Sequence, residues 1–194
     1  MGKFVVYVAD CESTHLDCEK GDIIELSLLR TTDMVQQTWF MKPINVDNID
    51  DGALKVNGAN KEDLLWHTEE GKKKYRSLDE VLPEIENFVS DDGAKSFDRI
   101  LAGQNINFDY QYMLSAWKKA ECIDSFPFST YGMMIDTKGL ALFDDWINDR
   151  ESEKYSLKNL VKKYGIEQRK AHAASEDVKM TYDVLMNFVK IFKK

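Results

Sequence analysis

An apolar run that ends on two carboxylates constrains the fold of this chain more than any other sequence feature. Residues 3–9 are mostly β-branched or aromatic, and Asp10-Cys11-Glu12 follows directly. Six consecutive apolar residues predict a buried, central strand, and the period of two along a strand sends Asp10 and Glu12 to one face. Two carboxylates at the end of a buried strand repel each other, so they need a cation or hydrogen bonds. For an isolated Asp-x-Glu, a charged strand end facing water is the alternative.

The remaining apolar patterns predict a single α/β domain over residues 1–194, because this length corresponds to about one domain. Three strands in meander order come first, and strands then alternate with helices, which indicates a mixed sheet covered by helices. Further strands are predicted at Ile23–Arg30, 34–41, 99–103 and 130–136. Helices are predicted at 77–89, 108–120, 137–146, 156–165 and 178–192. Pro83 predicts a kink or a later start of the first helix, and residues 43–61 are predicted as a loop with short helical turns.

Composition excludes several classes of protein. The net charge of −8, from 26 basic and 34 acidic side chains, argues against binding long nucleic acid through a broad basic face. It does not exclude a nucleic-acid enzyme with a metal site. The longest apolar run is far shorter than the roughly 18 residues of a membrane span, so no membrane partner and a cytoplasmic location are expected. Three cysteines without metal-ligand spacing are expected to be reduced thiols: Cys11, Cys18 and Cys122.

Two later segments contribute acids and a histidine. Asp109 follows the predicted strand 99–103, and it would meet Asp10 and Glu12 if that strand pairs with the first. On one continuous helix, five residues rotate by about 140°, so His172 and Asp177 share a site only if His172 precedes the helix. A helix-dipole role for Asp109 and a solvated imidazole for His172 are the alternatives.

Taken together, these segments resemble the DEDDh 3′→5′ exonucleases. Residues 10–16 with 21–26 are similar to the first motif of that family, and residues 105–109 are similar to the second. His172, with four residues between it and Asp177, resembles the third.

The resemblance also covers the connecting segments. Residues 54–58 and 156–165 are similar to the family's loop before the second motif and its helix before the third, so the match spans about residues 3–190. It implies an RNase H-like α/β fold with a central five-stranded mixed sheet flanked by helices.

The chemistry that the resemblance implies is phosphodiester hydrolysis with two Mg²⁺ or Mn²⁺ ions per site. Asp10 would bridge both ions, Glu12 and Asp177 would complete the ligands of the first, and Asp109 would hold the second. His172 would be the general base, a role suited to an imidazole with a pKa near 6.5. Hard cations of this kind prefer carboxylate oxygens.

The resemblance implies a second set of residues that bind the substrate. Ser13 and Thr14 would hold the terminal 3′-OH, Leu16 would wedge beside the last base, and Phe108 would stack near it. His15 and Asn105 complete the expected substrate-binding set. Three positions depart from the family's frequent residues and concern substrate preference: His15 replaces Gly, and Gln104 and Asn57 each replace His.

The function implied is release of nucleoside 5′-monophosphates from the 3′ ends of nucleic acid, with single-stranded DNA favoured over RNA. An exoribonuclease that trims RNA or short oligoribonucleotides remains open. So do a catalytically silent nucleic-acid-binding domain of the same fold and a phosphoesterase acting on small nucleotides. A homodimer is also left open. The sequence ends at Lys194 without a polymerase-binding tail, so a free-standing enzyme is expected.

Overall fold

A central five-stranded sheet organises the computed structural model, which describes residues 4–151, 154–169 and 173–193. The strands are β1 (Val5–Ser13), β2 (Ile23–Arg30), β3 (Val35–Phe40), β4 (Arg99–Gly103) and β5 (Met134–Asp136), in the order β3-β2-β1-β4-β5. β1–β2 and β2–β3 pair antiparallel, whereas β1–β4 and β4–β5 pair parallel. The predicted mixed sheet is therefore confirmed, with β1 at its centre as its apolar run requires.

Helices cover both faces of the sheet. They are α1 (Asp51–Asn57), α2 (Lys61–Leu64), α3 (Glu69–Lys74), α4 (Leu78–Ser90), α5 (Ile106–Lys119), α6 (Thr137–Ile147), α7 (Leu157–Lys163) and α8 (Ala174–Phe192). Tyr7 and Ala9 of β1 pack with α4 and α5, whereas Val8 packs with Val178 and Leu185 of α8. Because side chains alternate along a strand, Asp10 and Glu12 continue the Val8 face towards the start of α8. In the described ranges, no helix combines the length and apolar composition that crossing a membrane requires.

Two strand boundaries differ from the sequence predictions by several residues, and one helix start decides between two predicted alternatives. β1 continues to Ser13 because β2 pairs with it beyond the apolar run, so both carboxylates lie inside the strand. β5 begins at Met134 instead of residue 130, because Gly132 forms a turn with a φ of 65° and donates its N–H to the Ser129 carbonyl. α4 starts at Leu78, as the predicted capping box requires, so Pro83 lies inside the helix and the alternative of a later start is wrong.

The segment between β3 and α4 contains more helix than the sequence predicts. Residues 43–61 hold a 3₁₀ turn, Val46–Asn48, and the short helix α1, in agreement with the predicted short helical turns. α2 and α3 were not predicted, because helices of four and six residues carry too little apolar periodicity. The sequence feature that could have predicted these helices is the pair of N-cap residues, Asn60 and Thr68, whose side chains accept hydrogen bonds from backbone N–H groups.

A buried ion pair joins the start of β4 to the end of α4. Arg99 donates to both carboxylate oxygens of Asp92 at 2.7–3.2 Å and to the Pro127 carbonyl at 2.9 Å. The Tyr7 hydroxyl donates to Asp92 at 2.8 Å. The Arg99 and Asp92 side chains are only 7% and 2% exposed, so removing either partner leaves the other charge away from water.

Arg99→Ala should therefore lower the free energy of unfolding by about 3–5 kcal/mol, because it leaves the Asp92 carboxylate buried without its counter-ion. Arg76→Ala is the matched control, since the Arg76 side chain pairs with Glu84 at the surface, with side chains 40% and 44% exposed. The control should lose less than about 1 kcal/mol. Urea unfolding of both variants measures the difference, and equal losses would contradict the assignment.

Candidate active site

Three carboxylates meet where the middle of the sheet faces the start of α8. Asp10 and Glu12 project from one face of β1, and Asp177 lies in the first turn of α8. Ligand oxygens of all three lie within 4.8 Å of one another. The predicted convergence of these acids is present in the structure.

A tight turn after β4 brings a fourth carboxylate to the same place. A Cβ on Gly103 would lie 2.5 Å from the Ile106 Cδ1 and 3.0 Å from the Ala9 carbonyl oxygen, so glycine at this position lets Ile106, the first residue of α5, pack against the end of β4. Asn105 takes a left-handed conformation with a φ of 61°, and its N–H donates to the Asp136 carboxylate at 3.1 Å. This turn starts α5 beside the end of β1.

Asp109 reaches β1 from α5, on the face of the sheet opposite α8. Its side chain is 3% exposed and accepts the Cys11 backbone N–H at 2.8 Å. The sequence placed Asp109 near Asp10 on the condition that the fourth strand pairs with the first, and β1 and β4 do pair. We call Asp10, Glu12, Asp109 and Asp177 the carboxylate cluster.

Loss of hydration and mutual repulsion both act on this cluster. Loss of hydration raises the pKa of Asp10 well above its ordinary value, and repulsion from Asp109, Asp177 and Glu12 adds to it. Loss of hydration, followed by repulsion from Glu25, raises the pKa of Glu12 to about 7. The pKa of Asp109 is also raised to about 7, chiefly by loss of hydration. A cation bound among these groups would offset both effects.

The donor set of the cluster fits a hard divalent cation. Among the residues that the structure describes, the three ligand groups that meet there are all carboxylates, each partly buried. Oxygen-only ligation of this kind suits Mg²⁺ or Mn²⁺ better than Zn²⁺.

Glu25 is a site residue that the sequence analysis did not identify. It lies directly opposite Glu12 in the β1–β2 register, and its carboxylate faces the backbone N–H groups of Ala174 and Ser175. The residue before them, Ala173, offers no side-chain cap to α8. Loss of hydration raises the pKa of Glu25, and the two N–H groups act against that rise. The sequence feature that could have identified Glu25 is its position as an acid within the largely apolar strand Ile23–Arg30.

Gln36 holds the same helix turn from the next strand. Its side-chain amide donates to the Ser175 carbonyl at 2.8 Å and to the Ser27 hydroxyl at 2.9 Å. In the helix turn that carries Asp177, Glu25 thus faces backbone N–H groups and Gln36 binds a backbone carbonyl. Their register on β2 and β3 was not readable from the sequence.

A cavity lies between the loop after β1 and the first turns of α5. It has a volume of about 300 Å³, and its lining includes Leu16, Asn105, Phe108 and Tyr112; we call it the terminal pocket. Leu16 is 83% exposed, which is unusual for a leucine. The structure therefore brings three predicted substrate-binding residues, Leu16, Asn105 and Phe108, to one pocket.

The loop that carries Leu16 is fixed to α5. The Tyr112 hydroxyl donates to the His15 carbonyl, and the Ser115 hydroxyl donates to the Cys18 carbonyl at 3.1 Å. The Lys119 ammonium contacts that same Cys18 carbonyl at 3.3 Å. These contacts hold the backbone on both sides of Leu16.

The other predicted substrate-binding side chains bond within this loop. The Ser13 hydroxyl donates to the His15 carbonyl at 2.8 Å, and the His15 Nδ1 accepts the Asp17 N–H at 2.9 Å. Thr14 is fully buried, and its hydroxyl accepts the Asp22 N–H at 2.9 Å.

Two residues that depart from the family pattern have structural partners. The Asn57 side chain donates to the Ser13 carbonyl at 3.0 Å, and so supports the start of the loop. The Gln104 side chain donates to the Tyr155 carbonyl at 2.6 Å and accepts the Thr137 hydroxyl at 2.7 Å. His172 lies outside the described residues, so its role stays a prediction.

Comparison with known proteins gives two relatives of similar sequence. DNA polymerase III PolC-type of Thermotoga petrophila is 30% identical over 191 residues, which is 96% of this chain and 12% of that protein. The protein of the same name from Thermotoga maritima is 30% identical over 197 residues, again 12% of its length. The chain therefore spans about an eighth of the length of these relatives.

Solved structures of E. coli Exonuclease I share the fold. The complex with a dT13 oligonucleotide matches 96% of this chain and 41% of that chain, with a TM-score of 0.75 and 16% identity. The complex with a dA16 oligonucleotide gives a TM-score of 0.74 at 16% identity, over 97% of this chain and 41% of that one. At this identity, the likeness shows the fold alone.

A family model matches most of the chain. The model of the exonuclease family RNase_T matches residues 7–185, a range that includes all four acids of the carboxylate cluster. The resemblance to DEDDh exonucleases is thereby confirmed, and this chain belongs to the exonuclease family RNase_T.

Proposed function

We propose that this chain is a metal-dependent exonuclease that removes nucleoside 5′-monophosphates from the 3′ ends of single-stranded DNA. The observation that carries the proposal is the meeting of Asp10, Glu12 and Asp177 within 4.8 Å, beside Asp109 and the terminal pocket. Membership of the exonuclease family supports the reaction. The binding of a dT13 oligonucleotide by E. coli Exonuclease I, which has the same fold, supports the substrate.

We assign the metal ligands within the carboxylate cluster by the family resemblance. Asp10, on the central strand and close to all three other acids, would bridge two ions. Glu12 and Asp177 would complete the ligands of one ion, and Asp109 would serve the other. Two Mg²⁺ or Mn²⁺ ions bound there would strengthen the attacking water as a nucleophile and offset negative charge in the transition state.

The protein's own side chains would position the strand and move the proton. We assign His172 as the general base that accepts a proton from the attacking water. Leu16 and Phe108 would hold the last base by apolar contact and stacking, which suits any base. The segment Ser13–Thr14 would recognise the 3′-OH through its backbone, because both side chains are buried and hydrogen-bonded within the protein.

The test of the proposed function is digestion of 5′-labelled oligonucleotides with Mg²⁺ or Mn²⁺. Single-stranded DNA should give a ladder shortening from the 3′ end, with nucleoside 5′-monophosphates as products by mass. Matched double-stranded DNA and RNA should be digested more slowly. A 3′-phosphate should block digestion, because it puts negative charge where the site expects a hydroxyl, beside the carboxylate of Glu12.

Each alternative function has its own outcome in this experiment. Faster digestion of RNA would favour the exoribonuclease, and cleavage of p-nitrophenyl thymidine monophosphate alone would favour a small-nucleotide phosphoesterase. Binding without cleavage would favour the silent domain. Release of 3′-monophosphates, or equal rates on the 3′-phosphorylated strand, would contradict the proposed polarity.

Stability of the metal-free protein should depend on pH through Glu12 and Asp109. Their pKa values of about 7 in the folded state exceed the ordinary values of 4.5 and 3.8, so folding opposes their ionisation. The melting temperature should fall as pH rises from about 4 through about 7, the range in which these two carboxyls ionise. Mg²⁺ should reverse the loss and raise the melting temperature more at pH 8 than at pH 5.5.

The variant Asp10→Asn tests whether the carboxylate cluster causes the dependence of the melting temperature on pH and Mg²⁺. It removes one of the repelling charges, so the metal-free variant should melt higher than the wild type at pH 8, respond little to Mg²⁺ and lose activity. Asp47→Asn, at an exposed acid outside the cluster, is the matched control and should change none of these. An unaltered Mg²⁺ response in Asp10→Asn would refute the bridging assignment.

His172 and Asp177 should have different signatures. His172→Ala should lower turnover by ~10²–10⁴-fold and leave Mn²⁺ affinity by calorimetry nearly unchanged, because it removes a proton acceptor and no ligand. Asp177→Ala should reduce both. His67→Ala, at an exposed imidazole paired with Glu62, controls for loss of a histidine elsewhere. If His172→Ala loses metal as strongly as Asp177→Ala, then His172 is a ligand.

A further inference from the structure

Cavities adjoin the carboxylate cluster on two sides. The terminal pocket adjoins it on the side of Asp109, because Tyr112, which lines that pocket, lies three residues after Asp109 on the same face of α5. A second cleft, of about 280 Å³, adjoins it at Asp177 and is also lined by Leu157, Lys158 and Arg169. If the 3′ end occupies the terminal pocket, the rest of the strand can leave through the cleft beside Asp177.

α7 connects this cleft with a wider groove. Lys158 lines the cleft, and Lys162 lines an open groove of about 580 Å³ together with Lys154. Residues four apart share one face of a helix, about 6 Å apart along its axis, so Lys158 and Lys162 form a row on α7. We call Lys154, Lys158 and Lys162 the lysine strip.

The lysine strip carries positive charge that the described protein does not neutralise. All three side chains belong to exposed residues, and none forms an ion pair within the ranges 4–151, 154–169 and 173–193. By contrast, Arg150 and Lys163, which also line the groove, pair with the buried acid Asp145.

Two further charged residues beside the strip limit its extent. Arg169, in the cleft, pairs with Asp183 at 3.5 Å, and Glu151 adds one exposed negative charge at the groove. The three lysines therefore form a narrow positive path in a chain of net charge −8. Such a path could bind a single strand without the broad basic face that the composition argues against.

We propose that the lysine strip binds backbone phosphates of the substrate strand on the 5′ side of the scissile bond. The inference rests on the proposed function and adds the path of the strand. A chain of net charge −8 repels a polyanion, and three lysines that begin beside Asp177 offset that repulsion where the strand leaves. Contacts to phosphates carry no base preference, which suits an enzyme that moves along the strand one nucleotide at a time.

The test compares Lys158→Gln/Lys162→Gln with Lys190→Gln/Lys193→Gln. Both double variants remove two positive charges, and glutamine keeps helix propensity. The control lysines are exposed and lie at the opposite end of α8 from Asp177. The substrates are dT12, long enough to reach the strip, and dT3. Affinity is measured by fluorescence anisotropy and as KM over a range of salt concentrations.

The strip variant should bind dT12 at least tenfold more weakly near 0.1 M salt. The slope of log affinity against log salt should fall in magnitude by about 1.4, since each phosphate contact on a single strand contributes about 0.7. The effect on dT3 should be several-fold smaller, and the control variant should match the wild type with both substrates.

An unchanged salt slope for dT12 binding by Lys158→Gln/Lys162→Gln would overturn the proposed role of the lysine strip and leave the proposed exonuclease function intact. The same result accompanied by binding to anionic phospholipid vesicles would assign the lysines to a lipid surface instead. A wild type that hydrolyses neither oligonucleotide would contradict the proposed function. Because anisotropy measures binding without turnover, the salt slope of dT12 binding would still test the lysine strip.

Discussion

Repulsion among four carboxylates at the middle of one sheet is the constraint on which the rest of this structure depends. Like charges do not gather unless other interactions outweigh them. Loss of hydration adds to the repulsion and is the largest cause of the raised pKa values of Asp10, Glu12 and Asp109. Apolar packing of the same elements acts against this cost; on α5 it includes the buried side chains of Met113 and Trp117.

The two helices that supply acids arrive from opposite faces of the sheet. α5 packs on the Tyr7 face and α8 on the Val8 face, so β1 lies between them and its own acids complete the set. Neither helix start is fixed by its own sequence alone. The glycine turn after β4 sets the approach of α5, whereas Glu25 and Gln36 hold α8 from the sheet. The position of each acid is thus a property of the sheet register.

That dependence explains what could be read from the sequence. Periodicity and burial predicted β1, the shared face of Asp10 and Glu12, and most of the longer helices, because these signals are local. The family resemblance predicted that Asp109 and Asp177 would join them. Glu25 and Gln36 were missed, because their roles depend on cross-strand pairing and on contact with a helix more than a hundred residues away. The internal bond of the Thr14 hydroxyl was missed for the same reason, since its partner Asp22 follows a loop.

The loop around Leu16 has a thermodynamic consequence of its own. Its carbonyls are held by Tyr112, Ser115 and Lys119, and yet its leucine side chain is 83% exposed to water. The backbone entropy of this loop is therefore lost when the protein folds, not when a molecule covers the loop. Because the loop is preorganised, a molecule that binds there releases water from an apolar surface that is already in place. Binding should therefore show a decrease in heat capacity and little entropic penalty from ordering the loop.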